Sequence, residues 1–143
     1  MDKGTIKQQL AQHSVAIISL VIAIVALLYT AWREEETEKN RNIRTAAFET
    51  LKHLGELQIL VNSIHYQATP SLGDPILGWG HIALISDMGS LLPQPVPEQV
   101  QKLVAVWGTE WQEVGKEEAA VTQISTEIDY SRKEVLHVLH HLR

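Results

Sequence analysis

Hydrophobic residues follow two different patterns along this chain. From Ser14 to Trp32 the sequence reads Ser-Val-Ala-Ile-Ile-Ser-Leu-Val-Ile-Ala-Ile-Val-Ala-Leu-Leu-Tyr-Thr-Ala-Trp, with no charge and no polar face. From Ile43 onward apolar residues recur instead in steps of three and four: Ile43, Ala47, Leu51, Leu54, Leu57, Val61, Ile64. The first pattern predicts a helix that crosses a bilayer. The second predicts amphipathic helices packed against one another.

A helix over the 19 residues 14–32 is about 28 Å long at 1.5 Å per residue, close to the hydrocarbon thickness of a membrane. Its backbone groups are satisfied internally, as oil requires. Tyr29, Trp32 and Arg33 close the segment and are the expected membrane-interface anchors, since amphipathic rings and cations favour the headgroup level. A cleaved signal peptide would have a shorter apolar core and a small residue where Tyr29 stands in Tyr29-Thr30-Ala31. A buried or interfacial helix would show a polar face. The expected division is a tail over 1–13, a transmembrane helix over 14–32 and a helical soluble domain over 33–143.

No proline or glycine falls between Arg33 and Gly55, so the membrane helix is expected to continue outward as a stalk over 33–45. Its turns carry pairs such as Glu35 with Lys39 and Glu38 with Arg41. Arg41 and Arg44 are candidate contacts for lipid headgroups or a partner's carboxylates, against the plainer reading of a solvated stalk. The helix carrying the Ile43–Ile64 stripe should end near Gln67, followed by a loop over 68–75 that holds Pro70 and Gly73. Asp74-Pro75 then reads as a helix start, with aspartate as cap and proline at the first position.

The next helix is expected from Ile76 to about Leu92, packing through Trp79, Ile82, Ala83, Ile85, Ser86 and Leu92. Only 11 residues separate Pro75 from Asp87, with His81 among them. That is too short for a second span. A stiff proline-rich connector over 93–97 follows. A third helix carries Val100, Leu103, Val104, Trp107, Trp111 and Val114. The last, from Lys116 to about Leu142, carries Val121, Ile124, Ile128, Val135, Leu139 and Leu142 at nearly heptad spacing, with Ser131 in the seam. The fold class is therefore all-α: one N-terminal transmembrane helix continuing into a small antiparallel helical bundle.

Charge narrows the functions. The net charge is −5, and residues 33–143 hold 10 of the 12 Lys/Arg and 16 of the 17 Asp/Glu. An acidic domain without a basic stripe repels a phosphate backbone, so nucleic acid is not an expected partner. The chain has no cysteine, which removes disulfides, thiolate metal sites and cysteine nucleophiles. Counting Lys3 and Lys7 against Arg33, Lys39, Arg41, Arg44 and Lys52 places the domain on the cytoplasmic side, although Glu34-Glu35-Glu36-Thr37-Glu38 offsets that bias locally.

Candidate chemistry is sparse. His137 and His141 share a helical face, with Glu134 one turn before, and are the weak candidate metal ligands; a site needs a further ligand and an outer shell. The preference for basic-leaning residues at a helix C-terminus is the simpler account of them. His53 and His65 are out of register for a common point. Trp107 and Trp111, one turn apart, are candidate interaction residues or core anchors. Gly78-Trp79-Gly80 marks either a close helix approach or a flexible point. There is no phosphate loop, nucleophile elbow or zinc-protease motif, so neither catalysis nor a cofactor is expected.

The segments Tyr29-Thr30-Ala31-Trp32-Arg33-Glu34 and Thr37-Glu38-Lys39-Asn40-Arg41-Asn42-Ile43-Arg44 resemble those of a set of small single-pass bacterial inner-membrane proteins. Leu54-Gly55-Glu56-Leu57-Gln58, His65-Tyr66, Leu92-Pro93 and Val96-Pro97 resemble them too. The resemblance covers most of the length and implies a bacterial cytoplasmic membrane, with no functional residue attached.

The expected function is a membrane-anchored helical interaction module, an accessory or scaffold, with membrane lipid and a protein partner or second copy as its contacts. Small residues Ala16, Ser19, Ala23 and Ala26 offer a ridge for self-association. The alternative is a membrane-tethered sensor whose bundle binds a small molecule. A cavity lined by Trp107 and Trp111 would favour sensing; an exposed apolar stripe would favour scaffolding.

Overall fold

A computed structural model of the chain describes residues 3–66 and 74–142, with side chains from residue 13 onward. Four helices account for nearly all of them: α1 (Lys3–Tyr66), α2 (Pro75–Ser90), α3 (Val96–Glu110) and α4 (Glu118–His141). Among the described residues there is no strand. The protein is all-α. The loop expected over 68–75 lies outside the described residues except at its end, Asp74-Pro75.

The chain divides into two compact units, residues 1–39 and 40–143. Over its described residues unit 1 is helix alone. Its large apolar side chains from Val15 to Trp32 are 49–70% exposed. It is long and apolar enough to cross a membrane. Thr30 Oγ1 donates to the Ala26 carbonyl (2.9 Å) and Thr37 Oγ1 to that of Arg33 (2.9 Å), the back-bonding that lets a hydroxyl sit on a helix without an orphaned proton.

Unit 2 holds the core, built from the residues 40–66 of α1 and from α2, α3 and α4. Leu54, Leu57 and Val61 of α1 meet Ile85, Leu103, Trp107, Ile124 and Ile128, all with no appreciable exposure. Pairwise contacts give the directions. Gly78 lies against Trp107, Gln101 Nε2 donates to Ser86 Oγ (3.1 Å) and Gly89 lies against Val100, so α2 and α3 run antiparallel. Gln58 Nε2 donates to Ser125 Oγ (3.0 Å), while Ile64 lies against Gly115 and His65 Nδ1 bonds the Val114 carbonyl (2.9 Å), so α1 and α4 are also antiparallel.

Helix limits follow local chemistry. Asp74 caps α2, its carboxylate accepting from the Ile76 amide (2.9 Å), with Pro75 at the first position. Pro97 occupies the first turn of α3 with Glu98 beside it at the positive end of the dipole. Three expected limits shift. α3 begins at Val96, inside the connector expected over 93–97, because proline at the second position of a helix fits its first turn. α2 ends at Ser90 rather than Leu92, its last carbonyls taken by the Leu91 and Leu92 amides. α4 begins at Glu118 rather than Lys116, because the Glu110 and Glu113 carbonyls accept bonds in a turn first.

The seam of α4 agrees with the pattern read from sequence: Val121, Ile124, Ile128, Ser131 and Val135 are buried. α2 does not follow its expected packing set. Ile82, Ile85 and Leu92 are buried, but Ala83 is exposed and Trp79 is 40% exposed. The places of those two residues are taken by Gly78 and Gly89, because glycine brings the helix backbone close to large partners on α3.

Candidate functional site

Three features stand out against this frame, and each is assembled by the helices rather than by a loop. The first is the outward face of α2. Ile76 (64% exposed), Leu77 (59%) and Leu91 (63%) are open to solvent, and Leu84 is less so. Gly80 and Ala83 complete the face. Leu77, Leu84 and Leu91 are spaced by seven and therefore fall on one line along the helix. The only ionisable residues in α2 are His81 and Asp87. A helix that is apolar on every side is ordinarily covered on every side. Here one side is covered.

The second feature is a group of three side chains between α1 and α2. His53 and Glu56 are three apart on α1 and share a face; His81 reaches them from α2. Glu56 Oε2 lies 2.8 Å from His53 Nδ1 and 3.4 Å from His81 Nδ1. The imidazole centroids are 5.8 Å apart and tilted by 43°. Glu49, one turn before His53, brings a second carboxylate to 3.9 Å from its Nε2. The His53 side chain is 13% exposed and that of His81 28%. His81 Nδ1 itself is shut from solvent and has no hydrogen-bond partner. Histidine and carboxylate donors converging in this way can share a proton or hold a cation.

The third feature is an indole cluster. Trp79 stands edge-on to Trp107 (centroids 6.5 Å apart, 83°) and to Trp111 (6.2 Å, 73°), the arrangement that aromatic quadrupoles prefer. Trp107 is wholly enclosed and Trp111 half-buried. A Cβ at Gly78 would fall inside the Trp107 ring, whereas one at Gly80 would meet nothing. The two glycines beside Trp79 therefore differ: Gly78 admits the indole, and Gly80 belongs to the open face.

No protein-family model, curated protein or solved structure matches this chain. Its site residues stand on geometry alone.

Residues singled out from sequence distribute as follows. Tyr29 and Trp32 are exposed on unit 1, their rings 6.3 Å apart, with Arg33 exposed after them. Arg41 and Arg44 are exposed on α1. His137 and His141 do come together, ring centroids 4.2 Å apart. His141 Nδ1, however, donates to the His137 carbonyl (2.7 Å), which spends one ring nitrogen inside the helix. Among the described residues, the triple of potential ligands that converges is His53, Glu56 and His81. Sequence reading missed it. The His53-x-x-Glu56 spacing was visible, but the pairing of His81 with them depends on the packing of α2 against α1.

Proposed function

We propose that the protein is a membrane-anchored helical interaction module with no catalytic activity of its own, which binds a helix of a partner protein through the outward face of α2. The anchor is the apolar helix over 14–32, set in a bacterial cytoplasmic membrane, with residues 40–143 on the cytoplasmic side as the Lys/Arg balance favours. The observation that carries the reading is the line Leu77, Leu84, Leu91, exposed on a helix whose other side is already packed. Burial of such a line against a facing helix is the geometry of knobs packed into holes. α2 contains no Lys or Arg, so it lacks the cations that hold an interfacial helix to anionic lipid, which favours protein over a lipid surface. Tethering confines both partners to two dimensions and raises their effective concentration. The sensing alternative draws no support from Trp107, which has no open surface on which to receive a ligand.

A photoreactive amino acid at Leu77 or Leu84, irradiated in native membranes, tests this directly. The expected result is a discrete protein adduct, either a dimer of the chain or a complex with another membrane protein, absent when the probe sits at Gln123 on α4. Adducts to lipid alone, or equal adducts from Gln123, would refute it. Sidedness is read separately by an impermeant maleimide acting on Gln12→Cys and Gln123→Cys in intact cells. The expected outcome is labelling at residue 12 only; labelling at 123 alone would reverse the orientation.

A further inference from the structure

We infer that His53, Glu56 and His81 form a binding site for one divalent transition-metal ion of the zinc type, which clips α2 to α1. The inference needs only the packing of these two helices within residues 40–143, so it stands apart from the membrane anchor and from the partner of α2.

Hydrogen bonding accounts for part of the cluster. His53 Nδ1–H can donate to Glu56 Oε2 at 2.8 Å. His81 Nδ1 is left over: it is closed off from water and makes no hydrogen bond, although it faces the same oxygen from 3.4 Å. A buried ring nitrogen without a partner is costly and calls for an explanation. A cation among the three donors supplies one, because it takes the lone pairs of both Nδ1 atoms and of the carboxylate together. Donors around tetrahedral zinc, with bonds of about 2.0–2.1 Å, lie roughly 3.3 Å from each other. The two separations to Glu56 Oε2 fall on either side of that value, and all three ligand atoms lie within 4.8 Å of one another.

The donor set selects the class of ion. Two imidazoles and one carboxylate suit zinc and its neighbours, nickel, cobalt and iron, whereas calcium and magnesium favour oxygen alone. The chain offers no thiolate, the soft donor that would favour copper(I). Glu49 is placed as an outer carboxylate, 3.9 Å from His53 Nε2, where a small side-chain shift would let it accept from that nitrogen and fix the ring with Nδ1 toward the ion. Three protein donors and a half-open position leave the remaining coordination to water.

The test uses the tag-free full chain in mild detergent, stripped with a chelator and titrated with zinc against a chromophoric competitor. One ion per chain is expected, together with a higher thermal midpoint. His53→Gln and His81→Gln should each weaken binding by at least about a hundredfold and Glu56→Gln by at least about tenfold, since loss of even an outer-shell group costs about 10–100-fold. The double variant His137→Gln/His141→Gln should leave the affinity unchanged. Absence of one-to-one binding by the unaltered chain overturns the site. So does binding that survives His81→Gln and disappears with the C-terminal pair. Cobalt(II) needs no substitution and guards against a variant that misfolds: intense visible bands of a four-coordinate ion support the site, and the faint spectrum of the hydrated ion counts against it.

Discussion

α2 and α4 make opposite uses of apolar residues. In α4 the buried positions Ala120, Val121, Ile124, Ile128, Ser131, Val135 and Val138 advance in steps that stay on one face, and the opposite face is Thr122, Gln123, Asp129 and Lys133. In α2 the buried line is Gly78, Ile82, Ile85 and Gly89, while Leu77, Leu84 and Leu91 point away from it. The inner face of α4 is therefore complete inside one chain. α2 sets two glycines beside two isoleucines in the core and leaves three leucines on the surface. The lesson is that the inner face of a helix need not collect all of its large aliphatic residues, because close approach by glycine can replace bulk at part of the contact.

The largest effect that would break this comparison is in the core. Ile128→Ala removes a side chain with no exposure from the α4 seam and is expected to destabilise unit 2 by about 2–5 kcal/mol, the cost of lost transfer energy plus the cavity left behind. Leu84→Ala on α2 should change stability by no more than about 0.5 kcal/mol in the isolated protein. Urea unfolding of the detergent-solubilised chain, followed by near-ultraviolet circular dichroism, measures both. Equal losses would mean that the outward face of α2 is covered within the chain.

Next in size is Gly78→Ala. Its methyl group must displace the Trp107 ring, which is wholly enclosed. The expected loss is about 1–3 kcal/mol, the usual cost of overpacking, with altered tryptophan fluorescence as a second sign. A neutral outcome would show that the α2–α3 contact is looser than the packing of Gly78 on Trp107 implies.

α4 carries a smaller defect of its own. Ser131 is fully buried in the seam, and its hydroxyl has no partner. Ser131→Ala removes an oxygen whose desolvation is uncompensated, while the volume lost is small. A gain of about 1 kcal/mol is expected, the lower end of the penalty for an unsatisfied buried group. A loss would indicate that the hydroxyl finds a partner in solution.

The parts of this fold that sequence reading reached are those where local chemistry and periodicity coincide. Asp74-Pro75 announced a helix start because an acceptor and a fixed backbone angle stand side by side. The α4 stripe was legible because its period of three and four matches one helix face. α2 is less legible: with apolar residues on all sides, period says nothing about which face is inner, so Ala83 and Trp79 compete with Gly78 and Gly89 for the core, and of the close approach or flexible point that Gly78-Trp79-Gly80 suggests, the close approach is found at Gly78. The His53–Glu56–His81 group was out of reach for a different reason. His81 is 28 positions from His53 in sequence, and no spacing rule on a single helix brings them together. Only the packing of α2 on α1 does that. His137 and His141 drew attention because their spacing is local, yet His141 turns one nitrogen to the His137 carbonyl.

The smallest expected effect separates the two faces of α2 most cleanly. Gly80 is exposed, and a methyl group there meets nothing. Replacing a mid-helix glycine by alanine lowers the entropy of the unfolded chain without straining the folded one, so Gly80→Ala should stabilise unit 2 by about 0.5–1 kcal/mol. Two positions away, the same change at Gly78 should act in the opposite sense. The opposed signs depend on a single geometric fact, that Gly78 touches Trp107 while Gly80 faces outward, and urea midpoints of the two variants measured side by side decide it. If Gly80→Ala also weakens photo-crosslinking from Leu84 while raising stability, the methyl group has met a surface that the isolated chain does not contain. If crosslinking is unchanged, the partner helix stands off from Gly80 and touches only the leucine line.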